Sequence, residues 1–197
     1  MATFSASDVK ELRERTGAGF MDCKHALEES DGDLDKAVVL LRERGLAAAA
    51  KRVGRDVREG LVASYIHPGG RVGVLIEVNC ETDFVARTDQ FQKLVHDLAV
   101  QVAGLDPTYV DVERIPAPEL EAKKAALLAD EATQKKPEHI RPQIVDGQLK
   151  KWFGEVVLLE QPFRDQDRTV GQLVVEAIAK TGENIKVRRF VRFELGE

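Results

Sequence analysis

Cysteine is scarce in these 197 residues: Cys23 and Cys80 are the only two. That is too few for a disulfide framework and fits a reducing compartment. A basic excess is also missing, since 29 Lys and Arg stand against 34 Asp and Glu, a formal charge of -5. A chain that coats nucleic acid through its phosphates carries the opposite balance, so direct nucleic-acid binding is not expected beyond a local patch. Long apolar runs are lacking too. Those present are short, such as Val72 to Val78, broken by Gly73 and Glu77, and Val156 to Leu159. Neither approaches the roughly 20 apolar residues of a membrane-spanning helix. The opening Met-Ala-Thr-Phe-Ser-Ala-Ser-Asp has no basic stretch leading into an apolar one and no Arg, so no targeting leader is expected. These absences leave a soluble, cytoplasmic protein of one domain, or one domain with a small appendage.

Catalytic signatures are equally thin. Gly69, Gly70 and Gly73 match neither GxGxxG nor GxxxxGK followed by Ser or Thr. His25, His67, His96 and His139 are scattered, with no second ligand at metal spacing. Cys23 and His25 lie two apart on a predicted helix and point in different directions, which defeats a nucleophile–base pair. Cys80, at a strand end with no His nearby, reads as a small buried residue. No cofactor, metal or enzyme chemistry is expected.

The patterning that is present changes along the chain. Over residues 1–45 three short helices are expected. Ser7 or Asp8 caps the first, which buries Val9 and Leu12 and ends at Thr16-Gly17-Ala18-Gly19. The second points Ala26 and Leu27 inward. Leu34, Ala37, Val38 and Leu41 form one face of the third, with Gly45 as its C-cap. Residues 46–60 read as a helical linker opening on Leu-Ala-Ala-Ala-Ala. From Leu61 the period becomes two. Leu61–Ile66 and Val72–Val78 form a predicted hairpin across His67-Pro68-Gly69-Gly70-Arg71.

A long helix is then expected, with Phe84, Phe91, Val95, Leu98 and Val102 sharing one face and Pro107 ending it. Pro116 and Pro118 introduce another helix. The polar run Thr133 to Pro142 reads as a turn, with a helix start or kink at Pro142. A loop around Gln161-Pro162-Phe163-Arg164-Asp165, a helix over Val170 to Ala179 stopped by Gly182, and a strand over Ile185–Phe193 complete the chain. The fold class is α+β, with a helical unit to residue 45, a linker, and a core over 61–197 built on a three-stranded antiparallel sheet.

Two segments exceed what packing needs. Asn79-Cys80-Glu81-Thr82-Asp83-Phe84-Val85-Ala86-Arg87 joins a strand to a helix, where backbone N–H groups are free and Thr82 or Asp83 suits the N-cap. Periodicity alone favours the core for Phe84, with an exposed wedge as the other reading. Arg13 to Lys24 holds Phe20 and Met21 among charges, and either a protein–protein contact or closure of the small core fits them equally.

Several long stretches resemble those of the elongation factor Ts family of bacteria. They are Leu12-Arg13-Glu14-Arg15-Thr16-Gly17-Ala18-Gly19-Phe20-Met21-Asp22-Cys23-Lys24, Glu77-Val78-Asn79-Cys80-Glu81-Thr82-Asp83-Phe84-Val85-Ala86, Leu158-Leu159-Glu160-Gln161-Pro162-Phe163, and Gly182-Glu183-Asn184-Ile185 with Arg188-Arg189-Phe190. They follow the family's order and span nearly the whole chain. The resemblance implies a guanine-nucleotide exchange factor for the GTPase elongation factor Tu, without bond-making chemistry. It implies a ubiquitin-associated-like N-terminal unit that docks on the GTPase through Arg13, Phe20, Met21 and Lys24. It also implies that Thr82, Asp83, Phe84 and Val85 disturb the magnesium and phosphate site, which moves Phe84 from core to wedge. Phe20 stands where the family commonly has Met.

Longer members carry two core halves, and this chain has one. A small sheet with few helices to cover both faces then points to a homodimer. Two competing readings remain: an adaptor that tethers a partner without altering its nucleotide affinity, and an enzyme using Cys23 or Cys80.

Overall fold

In the computed structural model, residues 4–16, 18–52, 54–164 and 168–197 are described. Gly17 of the first predicted turn and Asp165 of the predicted Gln161–Asp165 loop lie outside them. The chain divides into two compact units. One comprises Met1–Gly60, Asn79–Phe91 and Val174–Lys186; the other comprises Leu61–Val78, Gln92–Leu173 and Val187–Glu197.

The first unit begins with three helices, α1 (Ala6–Thr16), α2 (Phe20–Glu29) and α3 (Leu34–Ala50). Their apolar stripes meet in a core of Val9, Leu12, Cys23, Ala26, Leu27, Ala37 and Leu41, with Phe4, Ala18, Leu34 and Val38 at its margin. The cap of α1 differs from expectation. The Ser5 hydroxyl accepts from the Asp8 N–H at 3.3 Å, and the Asp8 carboxylate accepts from the Ser5 N–H at 2.6 Å. This reciprocal pair, with its cap just before the predicted one, satisfies two donors at once. Asp31 and Gly32 turn the chain at φ 53° and 84°, and the Asp33 carboxylate then accepts from Asp35 N–H and Lys36 N–H at 3.0 Å each.

Gly45 is not a C-cap, because α3 runs on through the Ala stretch to Ala50. Alanine has the strongest intrinsic preference for the helix, and one glycine costs only about 1 kcal/mol there. The missing side chain serves packing instead: a Cβ at Gly45 would lie 3.0 Å from the Ala179 Cβ.

The sheet has the order β1–β2–β3, from Glu59–Ile66, Val72–Cys80 and Lys186–Glu194. All three expected strands are present, and the sheet is antiparallel. The hairpin closes with the His67 N–H on the Val72 carbonyl at 2.9 Å, and Gly69 and Gly70 take positive φ in its turn. Just before β2 begins, the Leu195 N–H donates to the Arg71 carbonyl at 2.8 Å, which sets the register of β3. Val74, Ile76 and Val78 alternate on the buried face of β2.

The long helix expected from Phe84 onward is two helices, α4 (Asp83–Ala86) and α5 (Asp89–Leu105). The Thr88 hydroxyl donates to the Val85 carbonyl at 2.7 Å and accepts from the Phe91 N–H at 3.2 Å. One side chain thus closes α4 and opens α5, so Phe84 leaves the face carrying Phe91, Val95, Leu98 and Val102.

Further on come α6 (Ala117–Ala129), α7 (Glu131–Gln134), α8 (Arg141–Val156) and α9 (Val170–Thr181). The polar run at 133–142 is not a plain turn. It holds the end of α7, a single 3-10 turn at Glu138–Ile140, and the start of α8, with Pro142 in the first turn, where its missing N–H costs nothing. Within the second unit, Gln101 and Gln161 form a buried polar knot. The Gln101 amide donates to Gln161 Oε1 and the Pro162 carbonyl at 3.2 and 3.1 Å. Gln161 Nε2 donates to the Leu105 and Glu155 carbonyls at 3.2 and 3.0 Å. That gives the Leu-Leu-Glu-Gln-Pro-Phe stretch a structural role: its glutamine is buried and fully engaged in hydrogen bonds to α5 and to the end of α8.

Candidate functional site

β2 ends at Cys80 and α4 begins at Asp83, so only Glu81 and Thr82 separate them. A strand end followed at once by a helix start leaves several N–H groups without ladder partners. Thr82 adopts extended backbone, φ -130° and ψ 156°, and its hydroxyl accepts from the Val85 N–H at 3.4 Å as the cap of α4. Of the two caps expected, Thr82 fills the role.

The Glu183 carboxylate takes three further donors. Its Oε2 accepts from Glu81 N–H at 3.2 Å and from Thr82 N–H at 3.0 Å, and its Oε1 accepts from the Thr82 hydroxyl at 2.6 Å. The exchange is reciprocal. Glu81 Oε1 accepts from the Asn184 N–H at 2.6 Å, and Asn184 Nδ2 donates to the Arg55 carbonyl at 2.9 Å. Sequence reasoning assigned Glu81, Glu183 and Asn184 no role. Glu183 and Asn184 follow Gly182, whose φ of 75° ends α9. A glycine helix stop with a carboxylate beyond it was the only local signal, and no local signal names a partner a hundred residues away.

On this frame Phe84 is 79% exposed. The periodic reading that favoured the core for it is therefore corrected. Asp83, in the first turn of α4, is half exposed and pairs with Arg87 Nη2 at 2.9 Å. Val85 is half-buried and Ala86 is buried, so α4 is anchored on one side and presents Asp83 and Phe84 on the other.

A second exposed group lies on α1 and α2. Arg13 is exposed, and Phe20 and Met21 are 53% and 54% exposed. Lys24 is exposed and lies 3.8 Å from the Glu28 carboxylate. Phe20 and Lys24 are one turn apart with Met21 beside them, while Cys23, Ala26 and Leu27 occupy the buried side of the same helix. Phe20 and Met21 therefore do not close the small core.

The third surface is the outer face of the sheet. The register set by the 67–72 and 195–71 hydrogen bonds places Ile66, Gly73 and Phe193 in one row and Ser64, Leu75 and Val191 in the next. Glu77 and Arg189 follow, joined at 2.7 Å. Val62, Ile66, Leu75, Val191 and Phe193 are all exposed large apolar side chains, Phe193 at 70%. Gly73 leaves room for its neighbour, since a Cβ there would stand 3.0 Å from Ile66 Cδ1.

Both cysteines are buried. Burial pushes the Cys80 thiol up to about 11, with the Glu183 charge adding to the shift, and its Sγ donates to the Thr82 carbonyl at 3.1 Å. Burial likewise raises Cys23 above its ordinary value. Both shifts favour the thiol over the thiolate, the opposite of what activates a cysteine nucleophile. Among the described residues, no group of three or more His, Cys, Asp and Glu is placed to hold a metal ion. No helix there is long and apolar enough to cross a membrane.

The family model described as Elongation factor TS matches residues 35–197. The chain belongs to the elongation factor Ts family. An elongation factor Ts of Heliobacterium modesticaldum is 58% identical over 194 residues, covering 98% of this chain and 90% of the relative. One from Moorella thermoacetica is 58% identical over 98% of this chain and 96% of its own length. A more divergent one from Acaryochloris marina is 54% identical over 199 residues, 100% of this chain and 83% of the relative. Of the stretches that resemble this family, Thr82 to Val85 lies within the matched residues, and Arg13, Phe20, Met21 and Lys24 lie before them.

Proposed function

We propose that this chain is a guanine-nucleotide exchange factor acting in translation elongation. It binds elongation factor Tu carrying GDP, disturbs the magnesium and phosphate site, and so promotes GDP release. The observation that carries the reading is Phe84, a large apolar side chain left 79% exposed on a helix of four residues capped by Thr82. An exposed aromatic on a fixed support has the form of an interface hot spot. Asp83 beside it supplies a carboxylate able to compete for groups that orient magnesium waters, once Arg87 releases it. Thr82 and Val85 hold the pair in place.

The helical unit of residues 1–45, in this reading ubiquitin-associated-like, docks on the GTPase through Arg13, Phe20, Met21 and Lys24. The outer sheet face joins two copies of the chain into a homodimer, because a soluble protein rarely leaves such an apolar patch uncovered. The setting is the cytoplasm, and nucleic acid is reached only through the partner.

The mechanism is linkage. GDP and Mg²⁺ order the switch segments of a GTPase, and a partner that prefers the emptied geometry weakens nucleotide binding by the factor of its own preference. Titration into GDP-loaded and into nucleotide-free elongation factor Tu tests this. Binding to the empty form is expected to be tighter by about tenfold or more, with GDP affinity reduced by the same factor. Equal affinity for both forms would make the chain an adaptor.

A further inference from the structure

We propose that Glu183 is the positioning residue of the exchange loop, acting on the partner only through the placement of Phe84. This rests on the exchange-factor reading above. With 79% of its surface exposed, Phe84 gains little from packing within its own chain, so its direction is set by the backbone that carries it. That backbone is a single turn of helix, too short to hold itself in water. Its entry is fixed by three hydrogen bonds to one carboxylate, and charge-assisted bonds of this kind are the stronger ones.

The Thr82 hydroxyl has one proton. Because that proton is donated to Glu183 at 2.6 Å, an oxygen lone pair is left facing the Val85 N–H. Glu183, Thr82 and Val85 thus form one relay from the end of α9 into α4.

The other end of the relay is anchored as firmly. The Glu183 N–H donates to Thr181 Oγ1 at 3.3 Å, and the Thr181 hydroxyl donates to the Ala177 carbonyl at 2.9 Å within α9. Asn184 returns two bonds, to Glu81 and to the Arg55 carbonyl. A loop held this way loses little conformational freedom when it meets a partner, which is where pre-organisation adds affinity. The three donors meet the two carboxylate oxygens; an amide in its place would keep one oxygen for the two N–H groups and turn its NH2 toward the Thr82 hydroxyl, which would then accept.

The test is a double-mutant cycle read by fluorescent GDP release from elongation factor Tu, with amide hydrogen exchange on the free chain beside it. Glu183→Ala is expected to remove protection from the Glu81 and Thr82 amides and to slow accelerated release about tenfold. In the Phe84→Ala background the same substitution is expected to cost less than about twofold, because a positioning residue has nothing left to position. Thr82→Val, which keeps shape and loses the hydroxyl, should slow release as Glu183→Ala does, while Thr82→Ser should restore it. If Glu183→Ala gives no cooperative thermal transition, the Thr82→Val arm carries the cycle.

Unchanged release in the variant, retained amide protection, or a full additive loss in the Phe84→Ala background would each overturn the role given to Glu183. No acceleration by the unmodified chain would overturn the exchange-factor reading itself, so the two failures are told apart.

Discussion

Phe84 and the pair Phe20 and Met21 are exposed apolar side chains on short helices, yet they are supported in opposite ways. Phe84 sits on a turn whose entry is tied to residues 183 and 184 and whose exit is tied by Thr88. Phe20 opens α2 after Gly19, a cap with no side-chain hydrogen bond. Position is therefore determined over long range in one case and locally in the other. A side chain that must enter a partner at one place needs the first kind of support. A surface that adds area to a contact works with the second. The outer sheet face is a third kind, a flat apolar array whose placement follows from strand register alone.

The largest effect that sharpens this contrast is expected at Phe84. Phe84→Ala should cut accelerated GDP release by about thirtyfold, the scale of an interface hot spot, while the thermal midpoint stays within about 2 °C. A comparable loss of folding stability would return Phe84 to the core.

Next comes the sheet. Phe193→Asp places a charge in the outer row and should turn a dimer into a monomer at micromolar concentration by light scattering. An unmodified chain already monomeric there would exclude the dimer.

A smaller change, about fivefold weaker binding of elongation factor Tu, is expected for Phe20→Ala with Met21→Ala, since side chains already half exposed bury less. A loss as large as that of Phe84→Ala would erase the difference between the two supports.

The smallest effect concerns pH. Backbone N–H donation from Ser5, then its hydroxyl, holds the Asp8 carboxyl below its ordinary value, and the Lys36 N–H does the same for Asp33. A lowered folded pKa means that the stabilisation is complete above the unfolded Asp value, about 3.9, and is lost as pH falls through the folded value. Amide protection in α1 and α3 should therefore be flat from pH 7 to pH 5 and decline below about pH 4.

Much of this architecture was legible in the sequence, for reasons that are local. Alternation at Val74, Ile76 and Val78 marks β2, and glycines in the 67–71 turn mark the hairpin. The misreadings have separate causes. Phe84, Phe91, Val95, Leu98 and Val102 keep helical spacing, but the two hydrogen bonds of Thr88 interrupt the backbone without disturbing that spacing. Gly45 looked like a helix end because glycine often is one, and the alanines after it outweighed it.

For the site, positions 13, 20, 21 and 24 came from the family resemblance, since residue types left Phe20 and Met21 undecided between contact and core. Residue types offered Thr82 or Asp83 as the cap. The Glu183 clamp came from neither, because a hydrogen bond spanning 101 residues leaves no trace in periodicity.

The most direct measurement is the rate of fluorescent GDP release from elongation factor Tu as the concentration of this chain is raised. The rate should climb above the spontaneous one and reach a plateau, and Phe84→Ala should lower the plateau more than it shifts the half-saturating concentration. A rate that stays at the spontaneous value at every concentration would contradict exchange activity, and an unchanged plateau for Phe84→Ala would contradict the role given to that side chain.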